Sequence, residues 1–241
     1  MTSFTSKTAL VTGAGRGIGK STAIALARQG ANVIVCARTQ SEIDAVAHEI
    51  EAMGNKALAV RADISDEEDV KKMVDQSLKK FQTIDILINN AGIGMFAPVV
   101  ELSVKDFDRM WAVNMRGTFL MTRAVLPSMI KQHSGDIVNI SSLAGRNAIV
   151  GGAGYCSTKW ALVGFARSLM LEVREHDIRV ITLCPGSVET SFGDRANASH
   201  RSKYGIPKSE DIAHVIVDTL SMPRNVMVSE IDIRPTNPRK G

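Results

Sequence analysis

The feature that most constrains this chain is a strict alternation of short apolar runs with longer segments of helical period. KTALVT, ANVIVCA, KALAVRAD, DILINNAG, DIVNISS, IRVITLCPG and VMVSEIDIR read as strands. Their apolar runs are nearly continuous, which suits parallel strands covered on both faces. Helices are expected between them at 17–29, 40–53, 66–80, 104–131, 153–176 and 208–221. Strand alternating with helix predicts an α/β fold, a single-domain Rossmann-like doubly wound parallel sheet of about seven strands with right-handed crossovers. In such a sheet, ligands gather outside the carboxyl ends of the strands. The polar and glycine motifs TGAGRGIG, CART, RADIS, NNAGIG, SSLAG and CPGSVET each follow a strand, so they are expected on one edge, building one site.

Composition narrows the class. With 241 residues and 44% hydrophobic content, one domain over 1–241 can bury a large core. Cys36, Cys156 and Cys184 are odd in number and far apart, which argues against a disulfide framework and for a reducing, cytoplasmic setting. The first residues do not read as a signal peptide, and no apolar run is long enough to span a bilayer. The net charge of +4 is interspersed along the chain, weak support for nucleic acid and compatible with a phosphate-rich small molecule. The five histidines show no metal-ligand spacing, so no metal is expected.

TGAGRGIG (Thr12 to Gly19) departs from the usual dinucleotide fingerprint G-x-G-x-x-G, because Ile18 stands where the third glycine belongs when counting from Gly13. Glycines at a strand-to-helix turn still let the backbone approach an anion at a helix N-terminus, although a tight turn that binds nothing has the same look.

Taken with NNAG at 89–92, Asn114, Ser142 and the run from Tyr155 to Lys159, the loop resembles that of the short-chain dehydrogenase/reductase family. The resemblance covers about residue 5 to residue 190, with the motifs in order and spacing. The family's loop is T-G-x-x-x-G-x-G, which Thr12, Gly13, Gly17 and Gly19 satisfy. It implies a cofactor site drawn from Thr12, Gly13, Gly15, Arg16, Gly17 and Ile18, from Asn90, Ala91 and Gly92, and from Pro185, Gly186, Val188 and Thr190 around the nicotinamide. Asp63 resembles the family's adenine-binding aspartate, while as a residue it also suits a helix cap.

An NAD-selecting fold places an acid at the end of the second strand, to accept from the ribose 2′-hydroxyl. Here that strand ends in Ala37 and Arg38. A guanidinium clamps a 2′-phosphate that a carboxylate would repel, and Arg16 lies within the loop itself. The pair points to NADP(H); two solvated arginines are the plain alternative.

Tyr155 and Lys159 stand at i and i+4, so they share a helix face. A free phenol ionises near pH 10, and a neighbouring ammonium is expected to lower that value into the range of proton transfer. Ser142 ends the fifth strand, positioned to hold an oxygen on which charge develops, whereas Ser141 points the other way by strand alternation. For Asn114 the resemblance implies a water-mediated relay from Lys159 to solvent; a buried asparagine satisfying local backbone is the alternative. With Asn114, Ser142, Tyr155 and Lys159 as the catalytic set, the resemblance implies reversible NADPH-dependent reduction of a small-molecule ketone or aldehyde. A 3-oxoacyl-(acyl-carrier-protein)-type reductase is the nearest alternative, and a non-enzymatic NADP-binding regulatory module is the alternative of another class.

A substrate lid is expected at 187–207, with Arg195, His200, Arg201, Lys203 and Tyr204 either solvated or facing an acidic substrate or carrier. Cys156 reads as an inert, half-buried thiol. The ending VMVSEIDIRPTNPRKG lacks the glycines common in the family's ketoacyl reductases and reads as a strand followed by a basic tail. Met115, Phe119, Leu120 and Met121, with Leu162, Phe165, Leu169 and Met170, suit either core or the helix pairing of a homodimer or homotetramer that the resemblance implies.

Overall fold

The computed structural model describes residues 4–190, 192 and 205–236. Seven strands form one sheet: β1 (Thr8–Thr12), β2 (Asn32–Ala37), β3 (Ala57–Arg61), β4 (Ile86–Asn89), β5 (Gly135–Ile140), β6 (Ile178–Pro185) and β7 (Glu230–Ile233). Their spatial order is β3-β2-β1-β4-β5-β6-β7, and every pairing is parallel. The chain therefore leaves β3 at one edge and returns to the middle as β4. That return puts the topological switch point, where ligands collect, between β1 and β4.

Strand alternation sorts the apolar residues into two cores. Ala9, Val11, Val33, Val35 and Ile88 face α1 (Gly17–Arg28), α2 (Gln40–Glu51) and α7 (Ser209–Leu220). Leu10, Ile34, Leu87 and Ile137 face α3 (Glu67–Phe81), α5 (Thr118–Gln132) and α6 (Ala153–Val173) on the other side. Both faces of the central strands are covered, which accounts for their unbroken apolar runs.

Two expected helices differ in detail. The segment expected as one helix over 104–131 is α4 (Val104–Trp111), a π-helical turn over Ala112–Gly117, and then α5. The interruption centres on Asn114, a poor helix former whose side chain bonds a neighbouring segment instead, while the Thr118 hydroxyl donates back to its carbonyl at 3.0 Å. The helix expected to 176 ends as α6 at Val173, and a 3-10 turn to His176 closes on Asp177 in the left-handed region at φ 57°. At α3 the cap is Asp66, whose carboxylate accepts from the Asp69 N–H at 2.9 Å. Among the described residues no helix is long and apolar enough to cross a membrane. Of the expected lid, only 187–190, 192 and 205–207 are described; Arg195, His200, Arg201, Lys203 and Tyr204 lie outside the described residues.

Candidate active site

The carboxyl ends of the strands frame a single elongated cavity of about 650 Å³. Gly13, Gly15, Arg16, Gly17 and Ile18 line it from the turn between β1 and α1, and Arg38 and Asp63 line it from the ends of β2 and β3. Asn90, Ala91 and Gly92 follow β4, Ser142 follows β5, Pro185 ends β6, and Gly186, Val188 and Thr190 follow it. Tyr155 and Lys159 enter from α6. The motifs that the sequence places after different strands thus meet in one space.

Among the candidate site residues Thr12 and Asn114 are the exceptions, for they lie behind the wall. Thr12 is fully buried and ties β1 to β4. Its hydroxyl donates to the Ile88 carbonyl at 3.2 Å and accepts from the Asn90 and Ala91 N–H groups, both at 3.0 Å. The Asn114 amide is likewise committed to protein. Its Oδ1 accepts from the Ile93 N–H at 2.8 Å, and its Nδ2 donates to the Ile93 carbonyl at 2.9 Å and to Thr158 Oγ1 at 3.0 Å. Its side chain satisfies local backbone and fixes the Gly92–Ile93 wall of the cavity.

The glycine turn is shaped for an anion. Gly17 opens α1 at φ 55°, and a side chain there would close most of the gap to Thr190, 3.4 Å from its Cβ. At Gly19 a Cβ would lie 2.3 Å from the Gly13 carbonyl oxygen, so only glycine lets α1 start this close to β1. No side chain caps α1 at Arg16 and its first turn holds no acid, leaving its N–H groups facing the cavity. Arg16 and Arg38 are both exposed at this end. Desolvation pushes the Asp63 pKa up. Hydrogen bonds from the Ser65 hydroxyl and N–H, with the charges of Arg38 and Arg109, outweigh that and hold it below the usual carboxylate range. Asp63 does not cap α3, since Asp66 does.

The other end is buried. Tyr155 is 6% exposed and Lys159 5% exposed, so both ionisable groups are cut off from bulk water. Burial pushes the Tyr155 phenol up to about 12, only partly offset by the hydrogen bond it shares with Ser142. Burial pulls Lys159 down to about 8. The expected net lowering of the phenol is therefore not what the structure shows: desolvation outweighs the help of Lys159, whose Nζ lies 5.7 Å from the Tyr155 ring centroid. The ammonium donates to the Ile140 carbonyl at 2.9 Å. Ser142 Oγ accepts from the Ala144 N–H at 3.1 Å, which aims the hydroxyl into the cavity, while Ser141 turns away to donate to the Lys159 carbonyl at 3.1 Å.

Several lining residues carry no motif. Phe96 and Phe192 flank the Tyr155 ring, with centroids at 5.2 and 5.9 Å, and make an apolar wall around the phenol. At the far end the Glu42 carboxylate covers Gly15, 2.6 Å from where a Cβ would stand. Its place on the first turn of α2, four residues after Arg38, was the available signal. Arg234 and Pro235, just past β7, complete the rim.

The family model described as short chain dehydrogenase matches residues 7–201. An NADP-dependent 3-hydroxy acid dehydrogenase of Schizosaccharomyces pombe is 38% identical, over 98% of this chain and 95% of that protein. A 3-oxoacyl-[acyl-carrier-protein] reductase of Synechocystis is also 38% identical, over 90% of each. The solved alcohol dehydrogenase of the archaeon Thermococcus sibiricus, complexed with 5-hydroxy-NADP, superposes with a TM-score of 0.90 at 32% identity, covering 98% of this chain and 99% of that one. The chain belongs to the short-chain dehydrogenase/reductase family and is an oxidoreductase of the CH–OH/C=O pair.

Proposed function

We propose that this chain reduces a ketone or aldehyde carbonyl to an alcohol, reversibly, with NADP(H) as its cofactor. The observation that carries the reading is the meeting of Ser142, Tyr155 and Lys159 in the buried corner of a cavity whose opposite end presents Arg16 and Arg38. When bound, the reduced cofactor supplies hydride. The uncapped start of α1 and the glycine turn suit its pyrophosphate, and the two guanidiniums suit its 2′-phosphate. Asp63 suits the adenine end, the Asn90–Gly92 wall the cofactor's flank, and Pro185, Gly186, Val188 and Thr190 the nicotinamide.

Tyr155 is the proton donor. With its pKa pushed up to about 12, the phenol holds its proton throughout the neutral range, which is the form reduction requires. Ser142, already hydrogen-bonded to the phenol, holds the carbonyl oxygen as charge collects on it. When the phenol gives up its proton, the Lys159 ammonium steadies the phenolate. The family resemblance has a proton return by way of Lys159, with Asn114 beyond Gly92, where a Cβ would lie 3.6 Å from Nζ and 3.3 Å from Asn114 Oδ1. Asn114 acts as a positioning residue by holding that wall.

One domain carries both cofactor and catalytic residues in this reading, with 187–207 as its lid. The exposed Phe119, which lines a shallow apolar hollow of about 490 Å³ along α4, the π-helical turn and α5, and the exposed Trp160 of α6 support a homodimer or homotetramer. Three free, buried cysteines support a reducing, cytoplasmic compartment. The test is NADPH oxidation against a panel of ketones, diketones and β-ketoacyl thioesters by wild type and Tyr155→Phe. The variant should lose about 10²–10⁴-fold in turnover. A variant that keeps wild-type rate sinks the reading.

A further inference from the structure

The end of β7 lies at the reacting corner, far from the phosphate turn. The Gly186 N–H donates to the Ile233 carbonyl at 2.8 Å. A Cβ on Gly186 would lie 3.0 Å from Leu143, which directly follows Ser142, and 3.6 Å from Pro235. Arg234, between Ile233 and Pro235, lines the same cavity as Ser142 and Tyr155.

Arg234 also belongs to an unbalanced charge cluster. Glu230, Asp232 and Arg234 alternate onto one face of the strand end. Arg146 donates to Glu230 and, at 3.3 Å, to Asp232; Arg167 donates to Glu230 at 2.6 and 3.1 Å; Arg234 donates to Asp232 at 3.0 Å. Among the described residues three guanidiniums face two carboxylates, so one positive charge is left over there. Of the three, Arg234 alone reaches the cavity, and its side chain is half exposed there at 52%. Fastening β7 to its neighbours is already done by Arg146 and Arg167, and an exposed pair at i, i+2 adds little to stability. A third guanidinium at the rim, with donors beyond its single carboxylate partner, is suited to an incoming anion. The aromatic wall of Phe96 and Phe192 around Tyr155 offers no such partner.

We infer that Arg234 binds the carboxylate of the substrate, which makes the substrate class an oxo acid: a carbonyl compound bearing a free carboxylate. This rests on the reading of the cavity as a carbonyl-reducing site. The experiment compares acetoacetate, its neutral ethyl ester and acetoacetyl-coenzyme A on wild type, Arg234→Gln, Arg234→Lys and Arg167→Gln, all with NADPH. Calorimetry of 3-hydroxybutyrate binding to the NADP+-loaded chain gives a readout without turnover.

Wild type should favour the acid over the ester. A lost charge-assisted hydrogen bond should lower kcat/KM for the acid about 10- to 100-fold in Arg234→Gln, chiefly through KM, with a matching loss in 3-hydroxybutyrate affinity. The ester should change by less than about threefold, Arg234→Lys should recover part of the loss, and Arg167→Gln, which removes a charge from the same cluster without reaching the cavity, should leave the acid-to-ester ratio intact. An equal fall for acid and ester in Arg234→Gln, or a wild type that prefers the ester or the thioester, overturns the inference. Reduction of neutral ketones without reduction of the acid overturns it and leaves the function standing. Failure to reduce any carbonyl removes the function, and this inference with it.

Discussion

The two ends of the cavity are built on opposite principles. At the β1–β3 end the cations Arg16 and Arg38 are exposed, and the anion-binding capacity lies mostly in main chain: an uncapped helix start and glycines that admit close approach. At the β5–β6 end the ionisable groups are side chains withdrawn from water, and burial shifts both Tyr155 and Lys159. Exposed charges recognise a ligand without large desolvation costs, whereas buried ones have their protonation set by their surroundings. The difference teaches that changes to exposed cations should alter which ligand binds, and changes to the buried Tyr155–Lys159 pair should alter how fast it reacts.

The largest break in that division should come from Lys159→Met. It removes the charge that steadies the phenolate and should cost at least about 10²-fold in kcat. The pH profile sharpens the point. Lys159 is protonated below its value of about 8, so kcat/KM for reduction should be flat below that pH and fall as pH rises through it. Tyr155, at about 12, should add no inflection in the working range. A profile in Lys159→Met that still falls near the same pH assigns the inflection to another group.

Glu230→Gln should have the smallest effect, and on stability alone. Glu230 gathers Arg167 from α6 and Arg146 from the turn after Ser142, and their hydrogen bonds outweigh desolvation to hold its pKa at about 2. A carboxylate whose folded value is depressed contributes stability above its ordinary value of 4.5, and loses it as pH falls through about 2. The variant should lose about 1–2 kcal/mol in denaturant unfolding at neutral pH and show a shallower acid limb, with kcat little changed.

Legibility followed the same division. The strands were readable because doubly covered parallel strands need unbroken apolar runs, and the glycine turn because its requirement is local. All the candidate site residues line the cavity except Thr12 and Asn114, which stand behind it. Spacing alone does not separate a lining residue from one that braces the lining. The π-helical turn at Asn114 was hidden, since it depends on a partner, Ile93, distant in sequence. The net direction of the Tyr155 shift is not legible for a related reason: the charge of Lys159 is written in the sequence, but the burial that dominates both groups is a property of the packed core. Phe96, Glu42 and Arg234 belong to no motif and reach the cavity only through tertiary placement.

The division of labour is tested most directly by NADPH binding, followed by fluorescence titration, on wild type, Arg38→Asp and Tyr155→Phe. Arg38→Asp, which reverses a charge proposed to meet the 2′-phosphate, should raise Kd about 10- to 100-fold and narrow the preference over NADH. Tyr155→Phe should bind within about threefold of wild type while failing to turn over. An unchanged Kd and preference in Arg38→Asp, or a Tyr155→Phe that loses NADPH as severely as it loses turnover, would contradict the account.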